Sequence, residues 1–291
     1  MRALLDELSA MTPLNAVQGS NELHNFLGAR VLEHTTSTGR VLAIKANTGV
    51  TRSEADMMHY AATHGVLAPR VHAVYDIIVA ASSKRTQLML AMVSERVPGV
   101  PLVDVWQGMS VADQAAVKEQ LRVQLGSMRA CTQPFIGRVG GRETRNCYDG
   151  MRDLYCGPFG SEDEFDRWCS RRVCGGPLVR FKWWRWLQGE RKKRGMAGKE
   201  ERFVLTHGDL TPRNIMVQGN RVTGIIDWER SGFWPEWAEY AFNMVLCQGH
   251  EEWWVPVLAE LLTPCSQERL DFTALVEEWV VNCDETGTTN L

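Results

Sequence analysis

The chain has 291 residues, 44% of them hydrophobic and 23% charged, the balance of an ordinary globular protein. Disordered, collagenous and coiled-coil classes are excluded on composition, and the length holds two domains or one bilobal unit at about 100–200 residues each. With 32 Lys+Arg against 35 Asp+Glu the net charge is −3, so no whole-protein basic field for a nucleic acid exists. The 11 tryptophans are an excess that composition alone does not explain.

The N-terminal apolar stretch is interrupted by Asp6 and Glu7, unlike a secretory leader. No run of about 18 apolar residues predicts a membrane span. None of the 8 cysteines forms a C-x-x-C pair or a zinc spacing with histidine, so reduced thiols in a cytoplasmic protein are expected.

In chain order, Val41–Ala46 reads as a strand and Ser53–His64 as a helix with Ser53 as N-cap. Arg70–Ala80 and Gln87–Ser94 read as extended, and Val97-Pro98-Gly99 as a break. A capping-box-like start at Ser110–Asp113 opens a helix with Val117, Leu121, Leu125 and Met128 on one face. Residues 131–180 give no clear period. The basic tract Arg191–Arg194 reads as a solvated loop after a tryptophan-rich helix. Phe203–Thr206, Asn214–Val217 and Arg221–Asp227 read as strands, the last two joined as a hairpin by Gln218-Gly219-Asn220. Helices are expected near 236–248, 251–262 and 268–281.

The chemistry concentrates in Thr206-His207-Gly208-Asp209-Leu210-Thr211-Pro212-Arg213-Asn214, followed after the hairpin by Ile225-Ile226-Asp227-Trp228-Glu229. Phosphoryl transfer needs a carboxylate to orient the acceptor hydroxyl, for which Asp209 is placed, and hard oxygen ligands for magnesium, which Asn214 and Asp227 would supply. Unrelated turn residues rarely reproduce four residue types at this spacing beside a hairpin.

The HGDLTPRN segment followed by IIDWE resembles the aminoglycoside phosphotransferase and choline kinase group of protein-kinase-like folds. The longer string through GFWPEWAEY is similar to its fungal-type branch. The resemblance implies an α+β bilobal fold: a β-rich N-lobe over residues 1–97, and a larger, mainly helical C-lobe over 98–291 that carries the catalytic hairpin. It implies ATP and magnesium as cofactors, Asp209 as the catalytic aspartate, and Asn214 and Asp227 as metal ligands. Lys45 matches the lysine that binds the α/β-phosphates, and Glu54 its ion-pair partner. Ser94, Glu95 and Val97 fall on the inter-lobe hinge, whose backbone would meet adenine. His207 and Glu239 resemble braces of the catalytic loop, with Glu239 expected to be buried against the loop around His207.

The implied partner is a small molecule with a hydroxyl group, with neither nucleic acid nor membrane; the oligomeric state is not indicated. Trp228, Glu229, Trp234 and Trp237 form a candidate substrate wall, with core packing the competing reading for the indoles. Glu229, Glu236, Glu239, Asp149, Asp153, Glu162, Asp163 and Glu164 are candidates for an acidic acceptor surface, Ser161–Glu164 reading equally as a helix start. The match thins at the phosphate loop. Asn25–Arg40 offers only Gly28 and Gly39, and the Thr/Ser-rich hairpin Leu32–Gly39 is the candidate to cap phosphates instead. That thinness motivates an alternative, a kinase-like protein whose cleft binds a ligand without phosphoryl transfer. A protein kinase is disfavoured, because only Trp228–Glu236 separates Asp227 from the next helix.

Overall fold

The computed structural model describes residues 20–26, 29–47, 49–80, 86–148, 154–171, 176–195, 200–246 and 251–285. The N-terminal part is an antiparallel sheet of β1 (Ser20–Phe26), β2 (Ala29–Thr35), β3 (Val41–Asn47), β4 (Val71–Ala80) and β5 (Thr86–Glu95), in the order β1-β2-β3-β5-β4. Strand alternation aims the key side chain. Leu42, Ile44 and Ala46 share one face of β3 and join Leu32, Ile77, Ala91 and Val93 in a small apolar cluster. Lys45 therefore points to the opposite face. Its cross-strand neighbour Met92 packs there in the main core with Met57 and Met58 of helix α1 (Arg52–Thr63).

Helix α1 starts earlier than the sequence suggested. Thr51, not Ser53, is the N-cap: its extended backbone precedes the first helical residue, and its hydroxyl accepts from Glu54 N at 3.1 Å. Ser53 then lies in the first turn, its hydroxyl 3.1 Å from that of Thr51.

Beyond the sheet come β6 (Val100–Pro101), α2 (Val111–Ala130), β7 (Thr132–Gln133), β8 (Thr144–Arg145), β9 (Tyr155–Cys156), α3 (Glu162–Ser170), α4 (Gly176–Lys193), β10 (Phe203–Thr206), β11 (Ile215–Gln218), β12 (Arg221–Ile225), β13 (Gly232–Trp234), α5 (Trp254–Leu261) and α6 (Gln267–Glu285). The β-rich N-terminal sheet is thus followed by a mainly helical C-terminal region. Gly99 makes the transition possible: its φ is +101°, and a Cβ there would meet the Val217 carbonyl oxygen at 2.2 Å. This close approach lets β6 pair with β11 as the third strand of the hairpin sheet.

Ser110 caps α2, accepting from Asp113 N, and Val117, Leu121, Leu125 and Met128 are all buried as the period predicts. Each such side chain contributes roughly 1.5–3 kcal/mol of burial free energy. The unread stretch after α2 is organised by distant partners. β7 pairs with β10, and Gly137 exchanges backbone hydrogen bonds with Phe233 at 3.1 and 2.7 Å.

Two expectations need correction. The helix expected at 236–248 is α-helical only over Ala238–Ala241, then widens to a π-type turn over Phe242–Leu246 as Asn243 Nδ2 donates back to the Glu239 carbonyl at 2.7 Å. The basic tract is solvent-facing but not a loop: Arg191–Lys193 close α4, Lys192, Lys193 and Arg194 are exposed, Arg191 pairs with Glu201, and Arg194 pairs with Glu162 at 2.6 Å. Among the described residues no disulfide forms, and Cys131, Cys147, Cys156, Cys169 and Cys265 are free thiols. No described helix is long and apolar enough to cross a membrane.

Candidate active site

Strand β10 delivers the loop His207–Asn214, and each of its turns has a physical cause. Gly208 has φ +81°, and a Cβ there would meet the Arg230 carbonyl oxygen at 2.7 Å, so the step between His207 and Asp209 requires glycine. Glu239, 6% exposed, accepts from His207 N at 2.6 Å through one carboxylate oxygen and from Gly208 N at 3.0 Å through the other. Burial pushes the Glu239 carboxyl up, and His207 with these N–H groups pulls it back. Asn243, one turn on, donates to the same carboxylate at 3.0 Å. That brace was not foreseen, although its i, i+4 spacing from Glu239 was legible.

The fully buried His207 ring links the loop to the segment that carries Asp227. Its Nδ1 accepts from Asp209 N at 3.3 Å, and its Nε2 lies 2.9 Å from the Ile226 carbonyl. This pattern assigns the proton to Nε2. Trp228 packs edge-on against the ring at 4.8 Å. Farther along, the carbonyl of Pro212 accepts from Val103 N, and that of Leu210 from the Trp254 indole.

Asn214 closes the loop, its Nδ2 donating to the Asp209 carbonyl at 3.0 Å and to Asp209 Oδ2 at 3.1 Å. Its amide oxygen is thereby turned away from Asp209 and can face a cation. Ile226 N donates to the Asn214 carbonyl at 2.8 Å, which holds the approach to Asp227 beside the loop. Asp227 has φ 65°, the only described non-glycine residue with positive φ. Such backbone is sparsely populated and persists where surroundings fix it. Here Trp228 is the anchor, fully buried with its indole N–H on the Ile225 carbonyl at 2.8 Å.

Lys45 reaches across from β3. Its ammonium lies 2.9 Å from Glu54, 2.8 Å from Asp227 and 3.6 Å from Glu229, while Arg145 takes Glu229's other oxygen at 3.1 Å. Burial alone would lower the Lys45 pKa, but Asp227, Glu54 and Glu229 raise it well above the ordinary value. Burial raises the Glu54 carboxyl, opposed by Lys45. For Asp227 burial also acts upward, yet Lys45 wins and holds it below the usual carboxylate range. The structure therefore brings Lys45, Glu54 and Asp227 into one cluster, with Asp209 and Asn214 on the adjoining loop.

The remaining expectations divide. Ser94 is buried, Glu95 N donates to the Arg70 carbonyl at 2.9 Å, and the Val97 carbonyl accepts from the Arg96 guanidinium, so part of the hinge backbone already has protein partners. Trp228, Trp234 and Trp237 do not form a substrate wall: they are 0%, 0% and 7% exposed and pack in the core. Only Glu229 of that set stays partly exposed. The Thr/Ser-rich hairpin is not placed to cap phosphates. The Thr36 hydroxyl is used inside the turn by Arg40 N, and Arg40 lies by Glu95 at the opposite end of β3, roughly 17 Å of strand from Lys45. At the Lys45 end β1 and β2 pair up to Phe26 and Ala29, and Gly28 lies outside the described residues. Of the acidic candidates, Asp149 and Asp153 also lie outside them. Glu162 is 2% exposed and pairs with Arg269 at 2.8 Å. Asp163 pairs with Arg167 at 2.7 Å, and Glu164 accepts from Gly160 N at 2.6 Å. Glu236 lies 3.7 Å from Arg129.

A cavity of about 680 Å³ opens beside the hairpin turn, lined by Val100, Asp104 and Asn220, and includes none of the cluster.

Comparison with known proteins bears on the fold and the family. The model of the phosphotransferase enzyme family (APH) matches residues 28–262. A thermostable mutant of aminoglycoside phosphotransferase APH(4)-Ia, in ternary complex with AMP-PNP and hygromycin B, superposes with a TM-score of 0.55 at 15% identity, over 94% of this chain and 90% of that one. Its apo form gives 0.54 at 15%, over 92% and 89%. A Ralstonia eutropha JMP134 protein, provisionally named an aminoglycoside phosphotransferase, gives 0.53 at 14%, over 90% and 81%. No curated protein matches the chain. At these identities the structural likeness is one of fold, a protein-kinase-like one. The family match spans most of the 291 residues, and the chain belongs to the phosphotransferase enzyme family.

Proposed function

We propose that this phosphotransferase moves the γ-phosphoryl group of ATP to a hydroxyl of a small molecule, in a single bilobal unit divided after residue 97. The observation that carries the reading is Lys45 held between Glu54 and Asp227, beside a loop on which Asn214 is hydrogen-bonded to Asp209. Asp209 would accept a hydrogen bond from the acceptor hydroxyl and aim its oxygen at phosphorus. Lys45 would turn from Asp227 to the α/β-phosphates, with Glu54 keeping the ammonium charged and aimed. Backbone groups of Ser94–Val97 would meet the adenine edge, and His207 and Glu239 would keep the loop rigid.

The donor set fits magnesium: an Asp227 carboxylate, 38% exposed, and an Asn214 amide oxygen are hard ligands, and magnesium commonly uses one or two protein ligands beside phosphate and water. When bound, magnesium supplies charge neutralisation for the phosphates. The AMP-PNP and hygromycin B of the APH(4)-Ia complex support a nucleotide and a hydroxyl-bearing acceptor here too.

The test is ATP consumption with magnesium across a panel of hydroxyl-bearing metabolites, polyols and aminoglycosides together, in the wild type and in Asp209→Asn. A hit whose turnover falls by about 10²–10⁴-fold in the folded variant is expected for a group that manages the hydroxyl proton. Full activity in that variant would refute the role of Asp209.

A further inference from the structure

Arg138 stands out among the charged groups outside the site. It lies in the Gly-rich stretch Ile136-Gly137-Arg138-Val139-Gly140-Gly141, far in sequence from every motif, yet is only 1% exposed. A guanidinium buried to that degree is costly unless its donors are matched. All three nitrogens are matched, on two different elements. Nη1 donates to Ser53 Oγ at 2.7 Å, in the first turn of α1 and adjacent to Glu54. Nε donates to the Ser231 carbonyl at 3.0 Å, and Nη2 to the Glu229 carbonyl, two residues past Asp227.

The neighbouring residues repeat the bridge. Towards α1, Val139 N lies 3.4 Å from Met57 Sδ and Arg142 pairs with Asp56. Towards the segment after Asp227, Gly137 pairs with Phe233, and Arg145 takes the Glu229 carboxylate at 3.1 Å. Burial pushes the Arg138 pKa down, and the nearby Glu54 charge draws it back.

We propose that Arg138 is a positioning residue: it ties the first turn of α1 to the segment following Asp227, and so holds Glu54 and Asp227 in the one register in which Lys45 can serve both and then the nucleotide. A planar fork suits this, because three donors in fixed directions set the distance between two elements; a lysine at the same place offers one point charge. The inference rests on the nucleotide reading of Lys45, Glu54 and Asp227. Arg138 itself touches neither nucleotide nor acceptor in this scheme.

The test is calorimetric titration of Mg-ATP into wild type, Arg138→Lys and Ser53→Ala, each first shown to unfold cooperatively. Arg138→Lys should weaken Mg-ATP binding about tenfold and Ser53→Ala about threefold. A purely structural arginine would lower the melting temperature of the free protein and leave the dissociation constant of the folded fraction unchanged, and that outcome overturns the proposal. If Arg138→Lys fails to fold, Ser53→Ala carries the test, since it removes a single hydroxyl; unchanged affinity there is equally fatal. A wild type that does not bind Mg-ATP removes the nucleotide reading and this proposal together. A wild type that binds beside variants that bind as tightly removes this proposal alone.

Discussion

Two clusters of opposite charge are built from the same chemistry and differ in access. In the cleft, Lys45 meets Glu54, Asp227 and Glu229, and Asp227 keeps 38% of its side chain exposed. In the helical region, Arg269 binds Asp166 at 2.6 Å and Glu162 at 2.8 Å, with all three side chains at most 2% exposed. The Trp237 ring covers the Arg269 guanidinium at 4.3 Å, and its indole donates to Glu162 at 3.1 Å. Burial acts on both. In the closed cluster it raises the Asp166 carboxyl despite Arg269, whereas in the open one Lys45 holds Asp227 below its ordinary range. The closed cluster fastens α3 to α6; the open one carries one ammonium among three carboxylates, with a face left for a ligand. Residue types alone do not distinguish a rivet from a site.

The comparison can be broken most forcefully at Arg269. Arg269→Met leaves Asp166 buried without its cation, Glu162 keeping only Arg194, and should destabilise the fold by about 3–5 kcal/mol, read in urea unfolding. A loss below about 1 kcal/mol would mean that the closed cluster is not structural. Lys45→Met probes the open cluster. At a hundredfold excess over its dissociation constant, Mg-ATP should stabilise the wild type by about 2.7 kcal/mol, and this gain should vanish in the variant. A preserved gain would take Lys45 out of the nucleotide site. Trp237→Phe keeps the packing but deletes the hydrogen bond to Glu162 and weakens the cation–π contact, an expected cost of about 1–2 kcal/mol with nucleotide binding intact. The smallest effect concerns pH. Because Asp227 titrates below its unfolded value, the stability it contributes is present above about pH 4 and lost as pH falls through the folded-state pKa. The stability advantage of the wild type over Asp227→Asn should therefore shrink between about pH 5 and pH 3; an advantage that grows on acidification would contradict the assignment.

Local signals were legible and distant ones were not. The His207–Asn214 loop, the hairpin and the face of α2 follow from spacing within one element or between neighbours. Lys45 was singled out by resemblance, and strand parity, which opposes it to Ile44 and Ala46, is the physical reason it leaves the apolar cluster. The hydroxyl of Thr51 displaced Ser53 as N-cap, a choice between adjacent residues that composition cannot make. The tryptophans after Asp227 stayed open between wall and core in the sequence because an indole looks alike in both; only the partners, Phe165 and Phe242 around Trp234, decide. Arg138 and Arg269 left no trace, since their partners lie 91 and 103 residues away with no period linking them.

The left-handed backbone at Asp227 bears on inhibitor design. The residue after it is a fully buried tryptophan packed edge-on against His207 and bonded to Ile225, so swinging the aspartate out of the cleft would drag an indole from the core. Losing that packing costs about 3–5 kcal/mol, judged from large-to-small core substitutions. Compounds that need a displaced aspartate would spend about a hundredfold to several thousandfold of affinity on opening the protein, whereas compounds that meet the in-place carboxylate would not.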